Sequence, residues 1–126
     1  MSIEEAVVAA LAQLFTFWHI VALAGGVALG LVVGILPGLG GVAGLSLILP
    51  FLFGAEPSIA LAMMIGLQSV TATSDTFPSV LMGIPGTSSS QATVMDGFPM
   101  SKKGEAARAL SAAFVSSMYG GIFGAL

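Results

Sequence analysis

Cysteine is absent from this sequence of 126 residues. Disulfides and thiolate metal sites are therefore excluded, and the redox compartment cannot be read. Histidine occurs once, at His19, and the acids are scattered. No metal-ligand cluster, phosphate loop or Ser/His/Asp arrangement is visible, which argues against a membrane hydrolase or any other enzyme. Charge is scarce: three basic and six acidic residues make up 7% of the chain, against about 25% in a typical soluble domain. There is no basic tract and the net charge is -3, so nucleic acid is not an expected partner. A secretory signal is not evident either. Glu4 and Glu5 stand where a basic n-region belongs, and the first apolar stretch is too long for an h-region.

Apolar residues fill that space. They make up 56% of the chain, with a mean hydropathy of +1.05. Nine charged residues cannot clothe a water-facing surface, so the expected partner is the lipid bilayer and the expected class an all-α integral membrane protein. The charges fall at Glu4 and Glu5, at Glu56 and Asp75, and in a group from Asp96 to Arg108. The runs between them predict a single membrane domain over 1–126 with about four membrane segments, at 15–36, 39–55, 57–75 and 106–126. Ser2 and Glu5 have capping-box spacing. They predict a short helix, either lying at the membrane surface or forming the front of the first span. Trp18, near the start of 15–36, suits the aromatic belt. The same belt predicts an interfacial, non-ligand position for His19.

Glycine and proline interrupt the runs. Gly26, Gly30, Gly34 and Gly38 recur every fourth residue with Ala22 in phase, a stripe that lets another helix approach closely. Gly120 and Gly124 repeat the spacing. Pro37, with Gly38, Gly40 and Gly41, should break the first helix. Segment 39–55 is then either a short span or one arm of a re-entrant hairpin. A second Pro-Gly, Pro85-Gly86, follows segment 57–75 and leads into Thr87-Ser88-Ser89-Ser90. Asp96-Gly97 reads as a turn, and a cytoplasmic loop is expected at about 91–105, because Lys102, Lys103 and Arg108 obey the positive-inside rule. Glu105 and Arg108 read as a first-turn pair on the last helix.

Broken apolar segments point to a transporter's binding site, because unwound backbone within a membrane must be buried or line a cavity. N–H groups freed at a helix start suit an anion. The competing reading makes both Pro-Gly elements ordinary interfacial turns. The hydroxyls of 87–90 either meet a ligand or cap the next helix. Asp75 and its neighbour Ser74 close a segment that grows polar. They form either an ion-coupling site for H+ or Na+ at membrane depth or a solvated end among the headgroups.

The strings "GLVVGILPGLGG", "LILPF" and "MGIPGTSSSQATVMDGFPMSKKGEAARAL" together resemble the large membrane subunit of the tripartite tricarboxylate transporters, the TctA family. The resemblance runs from about Ala22 to Leu126. It implies a multi-pass permease of the bacterial cell inner membrane, driven by an ion gradient and needing no cofactor. The implied partners are a periplasmic solute-binding protein, a small membrane subunit and a citrate-like tricarboxylate or other organic acid anion. Members of that family are several times longer, with two related halves. This chain is accordingly expected to be an N-terminal part of one repeat of an inverted-repeat transporter, with the remainder of the permease as a further partner. Carried over by position, Pro37, Gly38, Leu39 and Gly40 form a first substrate-binding element, and Pro85, Gly86, Thr87 and Ser88 a second. Where family members often carry a Tyr-Gly-Gly-type stretch, this chain reads Thr73-Ser74-Asp75-Thr76. The alternative is a non-transporting scaffold or assembly subunit, or an inactive truncated fragment, whose glycine stripes only pack.

Overall fold

Helix α1 (Ile3–Leu14) begins where its cap says it should. The Glu5 N–H donates to the Ser2 hydroxyl, and the Glu5 carboxylate accepts the Ser2 N–H at 3.0 Å. α1 ends at Phe15, and a separate helix α2 (Phe17–Ile35) follows. The computed structural model describes residues 1–126; all its regular structure is helical. α2 stops because Pro37 forces Leu36 into an extended conformation, φ -77 and ψ 114. Gly38 and Gly40 then turn the chain at φ 84 and 60, angles that L side chains rarely adopt.

Helix α3 (Gly40–Ile48) continues into a 3₁₀ turn at Leu49–Leu52, where Pro50 ends the α-helical pattern. Pro57 occupies the first turn of α4 (Pro57–Ser74), where its missing N–H costs nothing. α2 and α4 form the tightest contact in the molecule, and glycine makes it. A methyl at Gly30 would lie 2.5 Å from the Leu67 carbonyl oxygen. Gly26 faces the backbone of Met63, Gly34 faces Thr71 and Ser74, and Gly66 answers from α4 against Leu23. Residue numbers rise together along the two helices, so α2 and α4 are parallel. α3 and its 3₁₀ turn must therefore run back along the whole pair, and Gly44 of α3 packs against both Val33 and Leu67. The segment 39–55 thus runs from the end of α2 back to the start of α4.

The second half folds around α5 (Thr76–Met82), which ends at Gly83 in the left-handed region. α6 (Gln91–Lys102) lies beside α5, and α7 (Ala106–Ala125) runs back along α6. The loop expected at about 91–105 is corrected here: residues 91–102 are helical. Asp96-Gly97 is not a turn, because Gly97 is needed where α6 crosses α5; a methyl there would meet the Val80 side chain at 2.8 Å. The helix ends at Gly104, φ 83, with the Glu105 N–H reaching back to the Met100 carbonyl at 2.9 Å, a Schellman closure. Glu105 and Arg108 do pair at 3.4 Å as the last helix starts.

Helices α2, α4 and α7 fall within 15–36, 57–75 and 106–126. α2 alone is both long and apolar enough to cross a membrane by length and composition. α4 loses apolarity through Gln68, Ser69, Thr71, Thr73 and Ser74, and α7 through Arg108 and its serines. The glycine stripe also ends early. Gly26, Gly30 and Gly34 are buried, whereas Gly38 meets nothing, and Gly120 and Gly124 have open space around them.

Candidate functional site

The most deeply buried stretch of the chain is polar, and a proline creates it. Pro78 has no N–H for the Ser74 carbonyl, and its ring crowds that carbonyl. The helix therefore breaks at Asp75, between α4 and α5. Ser74, Asp75, Thr76 and Ser79 are all buried. Ser74 donates to carbonyls of its own helix and to that of Gly30, 3.2 Å away on α2. Ser79 reinforces the kink by donating its hydroxyl to the Asp75 carbonyl at 2.9 Å.

Asp75 is 4% exposed, so the solvated-end reading does not hold in this fold. Its carboxylate is held by the second Pro-Gly element. The Gly86 N–H donates to Oδ1 at 2.8 Å and the Thr87 hydroxyl to Oδ2 at 2.7 Å. Gly86 is required for this approach, since a methyl there would collide with Oδ1. The hydroxyl run divides by role. Ser90 caps locally: it accepts from the Thr87 N–H at 3.2 Å and donates to the Thr87 carbonyl at 2.8 Å. Ser89 shares a hydrogen bond with Thr87 at 2.9 Å in which either oxygen can be the donor. Ser88 is exposed.

The first Pro-Gly element is built otherwise. Pro37, Gly38 and Leu39 are exposed, and no side chain reaches in to hold them. Its end nevertheless meets the second element: a methyl on Gly40 would lie 3.3 Å from Thr87 Cγ2 and 3.9 Å from the Gly86 carbonyl oxygen. The start of α3 and the start of the Ser88–Ser90 turn that leads into α6 are therefore neighbours. On the other flank of the second element lies a cavity of about 550 Å³ between α4, α5, α6 and α7. Asp75, Thr76, Ser89, Thr93, Asp96 and Ser116 supply much of its polar wall.

The family described as the tripartite tricarboxylate transporter TctA family matches residues 20–126, which include both Pro-Gly elements, the kink and the cavity. The chain belongs to the TctA family. TctA proteins are membrane transporter components and not an enzyme family. Helix α1 lies outside the TctA match, and the match begins inside α2. A curated relative from Agrobacterium vitis, described as an uncharacterized 52.8 kDa protein in the TAR-I ttuC' 3' region, is 38% identical over 96 residues. Those residues are 76% of this chain and 19% of the relative, so the chain spans about a fifth of the length of the relative it matches. No solved structure matches the chain.

Within this TctA chain, the sequence singled out Asp75 and the two Pro-Gly elements separately. What it missed is that the second element holds the Asp75 carboxylate. Asp75 and its partners at Gly86 and Thr87 are joined only by the short α5 and the left-handed Gly83, which together fold the chain back on itself. No local spacing rule announces such a pair. His19 is buried, and neither ring nitrogen has a hydrogen-bond partner within the chain.

Proposed function

We propose that this chain is part of a permease that takes up tricarboxylates or other organic acid anions, and that the anion binds where the two Pro-Gly elements meet. The observation that carries the reading is the approach of Gly40 to Thr87, which brings two helix starts to one place. N–H groups at helix starts carry partial positive charge and point outward, which suits carboxylates. Pro37, Gly38, Leu39 and Gly40 frame one side, and Pro85, Gly86, Thr87 and Ser88 the other. Exposed groups at Gly38 and Ser88 are free to meet a ligand. In this reading α2, the return stroke through α3, and α4 each cross the bacterial inner membrane, and α7 crosses again. An ion gradient supplies the energy, a periplasmic binding protein delivers the anion, and a small membrane subunit and the remainder of the permease complete the assembly.

The internal use of the α2 glycine face weighs against a scaffold. Gly26, Gly30 and Gly34 are already covered by α4, so that stripe is not available to a partner helix. The test is uptake of labelled citrate and related di- and tricarboxylates by cells carrying the full-length permease and its partner subunits. Ser88→Ala and Gly38→Ala should each reduce uptake while the protein stays in the membrane at normal level. Wild-type uptake by both variants would remove the two elements from the site.

A further inference from the structure

Asp75 poses a problem for an anion-binding protein. Its carboxylate sits one hydrogen bond from Thr87, the residue that packs against Gly40 where the two Pro-Gly elements meet. A fixed negative charge there, only 4% exposed, repels the carboxylates that the site is meant to hold. Among the side chains around it, no cation compensates. Asp96 of α6 is the other charged group on the cavity wall. α2 presents no charged residue, and His19 lies near its far end. The loop 83–90 has none. On α7, Arg108 is exposed and engaged by Glu105, and Lys102 at the end of α6 lies over the Phe98 ring.

The hydrogen bonds around Asp75 allow a second charge state without rearrangement. Gly86 donates to Oδ1 whether the group is carboxylate or carboxylic acid. Thr87 and Ser89 are hydroxyls, each able to donate or accept, and the bond between them has no fixed direction. With Asp75 ionised, Ser89 donates to Thr87 and Thr87 to Oδ2. With Asp75 neutral, both bonds reverse: Oδ2–H donates to Thr87, and Thr87 to Ser89. Ser89 is exposed and, like Asp75, lines the cavity, and the hydroxyl of Thr87 links the two.

We infer that Asp75 is a proton-binding site loaded from the cavity through Ser89 and Thr87, and that its protonation admits the organic anion at the adjoining Pro-Gly junction. This rests on the anion-binding reading given above. The step balances simply. A proton from cavity water joins Ser89 Oγ, the Ser89 hydroxyl proton passes to Thr87 Oγ1, and the Thr87 hydroxyl proton passes to Asp75 Oδ2. One proton is taken up, one negative charge is lost, and only O–H bonds form and break. Proton and anion then favour each other's binding by the same factor, as linkage requires.

Asp75→Asn separates the possibilities because asparagine copies the neutral acid. Its carbonyl accepts from Gly86, and its amide donates to Thr87. The full-length permease with its partner subunits, reconstituted in vesicles, is assayed with labelled citrate in two modes: exchange at equal pH, and accumulation driven by a pH gradient. Wild type should do both. Asp75→Asn should keep exchange and lose gradient-driven accumulation. Accumulation by Asp75→Asn at the wild-type level, or wild-type accumulation that follows a Na+ gradient and ignores pH, overturns the inference. Absence of exchange in wild type refutes citrate binding at the junction instead. Infrared titration of the purified permease without substrate reads the proton directly. A carboxylic acid component should grow as the pH falls, persist in Asp96→Asn and be missing from the Asp75→Asn difference spectrum. A band unchanged in Asp75→Asn overturns the inference whatever the transport result.

Discussion

Two Pro-Gly elements break this chain, and the same dipeptide does different things in each. At Pro37-Gly38 the backbone is exposed, turns through two glycines at positive φ, and is gripped by no side chain. At Pro85-Gly86 the glycine is buried, has ordinary φ, and gives its N–H to a carboxylate from the kink between α4 and α5. Proline and glycine suffice to end a helix. Whether the freed backbone is then open or locked depends on a residue elsewhere in the chain. Here that residue is Asp75, and only the second element has one.

The contrast yields graded predictions. Gly86→Ala should be the most damaging, because the new methyl collides with Asp75 Oδ1 and expels a buried carboxylate from its donors. Leaving such a group unpaired costs on the order of 3 kcal/mol. It should show as a large fall in the unfolding midpoint of the detergent-solubilised permease; an unchanged midpoint would mean that Asp75 does not lock the element. Next comes Gly30→Ala, outside both elements, whose methyl meets the Leu67 backbone and pushes α2 from α4, for about 1–3 kcal/mol. Thr87→Val removes one hydroxyl from the lock and should cost about 1–2 kcal/mol, with most of it restored in Thr87→Ser. Gly38→Ala meets no atom and should cost only the backbone strain of φ 84, about 1–2 kcal/mol. A cost for Gly38→Ala equal to that for Gly86→Ala would erase the distinction between the elements. Ser88→Ala should leave stability within about 0.5 kcal/mol and be felt in uptake alone.

The helices were legible wherever a single segment determined its own limits. Ser2 and Glu5 mark the start of α1, Pro37 the end of α2 and Pro57 the start of α4, and each acts through its own backbone. The α2 glycines announced close packing, though not that α4 would be their partner or lie parallel. Legibility failed where a distant contact overrode a local signal. Asp96-Gly97 has the composition of a turn, but Gly97 serves the crossing of α6 over Val80. Asp75 had two readings because it ends a run, and only the fold shows Pro78 bending that run so that a later loop covers it. Trp18 and His19 are neighbours in sequence, and only the fold separates their burial: Trp18 is 65% exposed, His19 7%.

The glycine contact between α2 and α4 has a consequence for motion. Side chains that interdigitate can slide by changing rotamer, but backbone resting on backbone leaves nothing to adjust. α2 and α4, with α3 seated against both, should therefore move as one stiff block. The bundle of α5, α6 and α7 continues from that block through Asp75, and the Pro78 kink has already removed part of the helical ladder there. If the two bodies rock against each other, Asp75 is the pivot, and the residue whose charge matters most is also the residue about which the molecule bends.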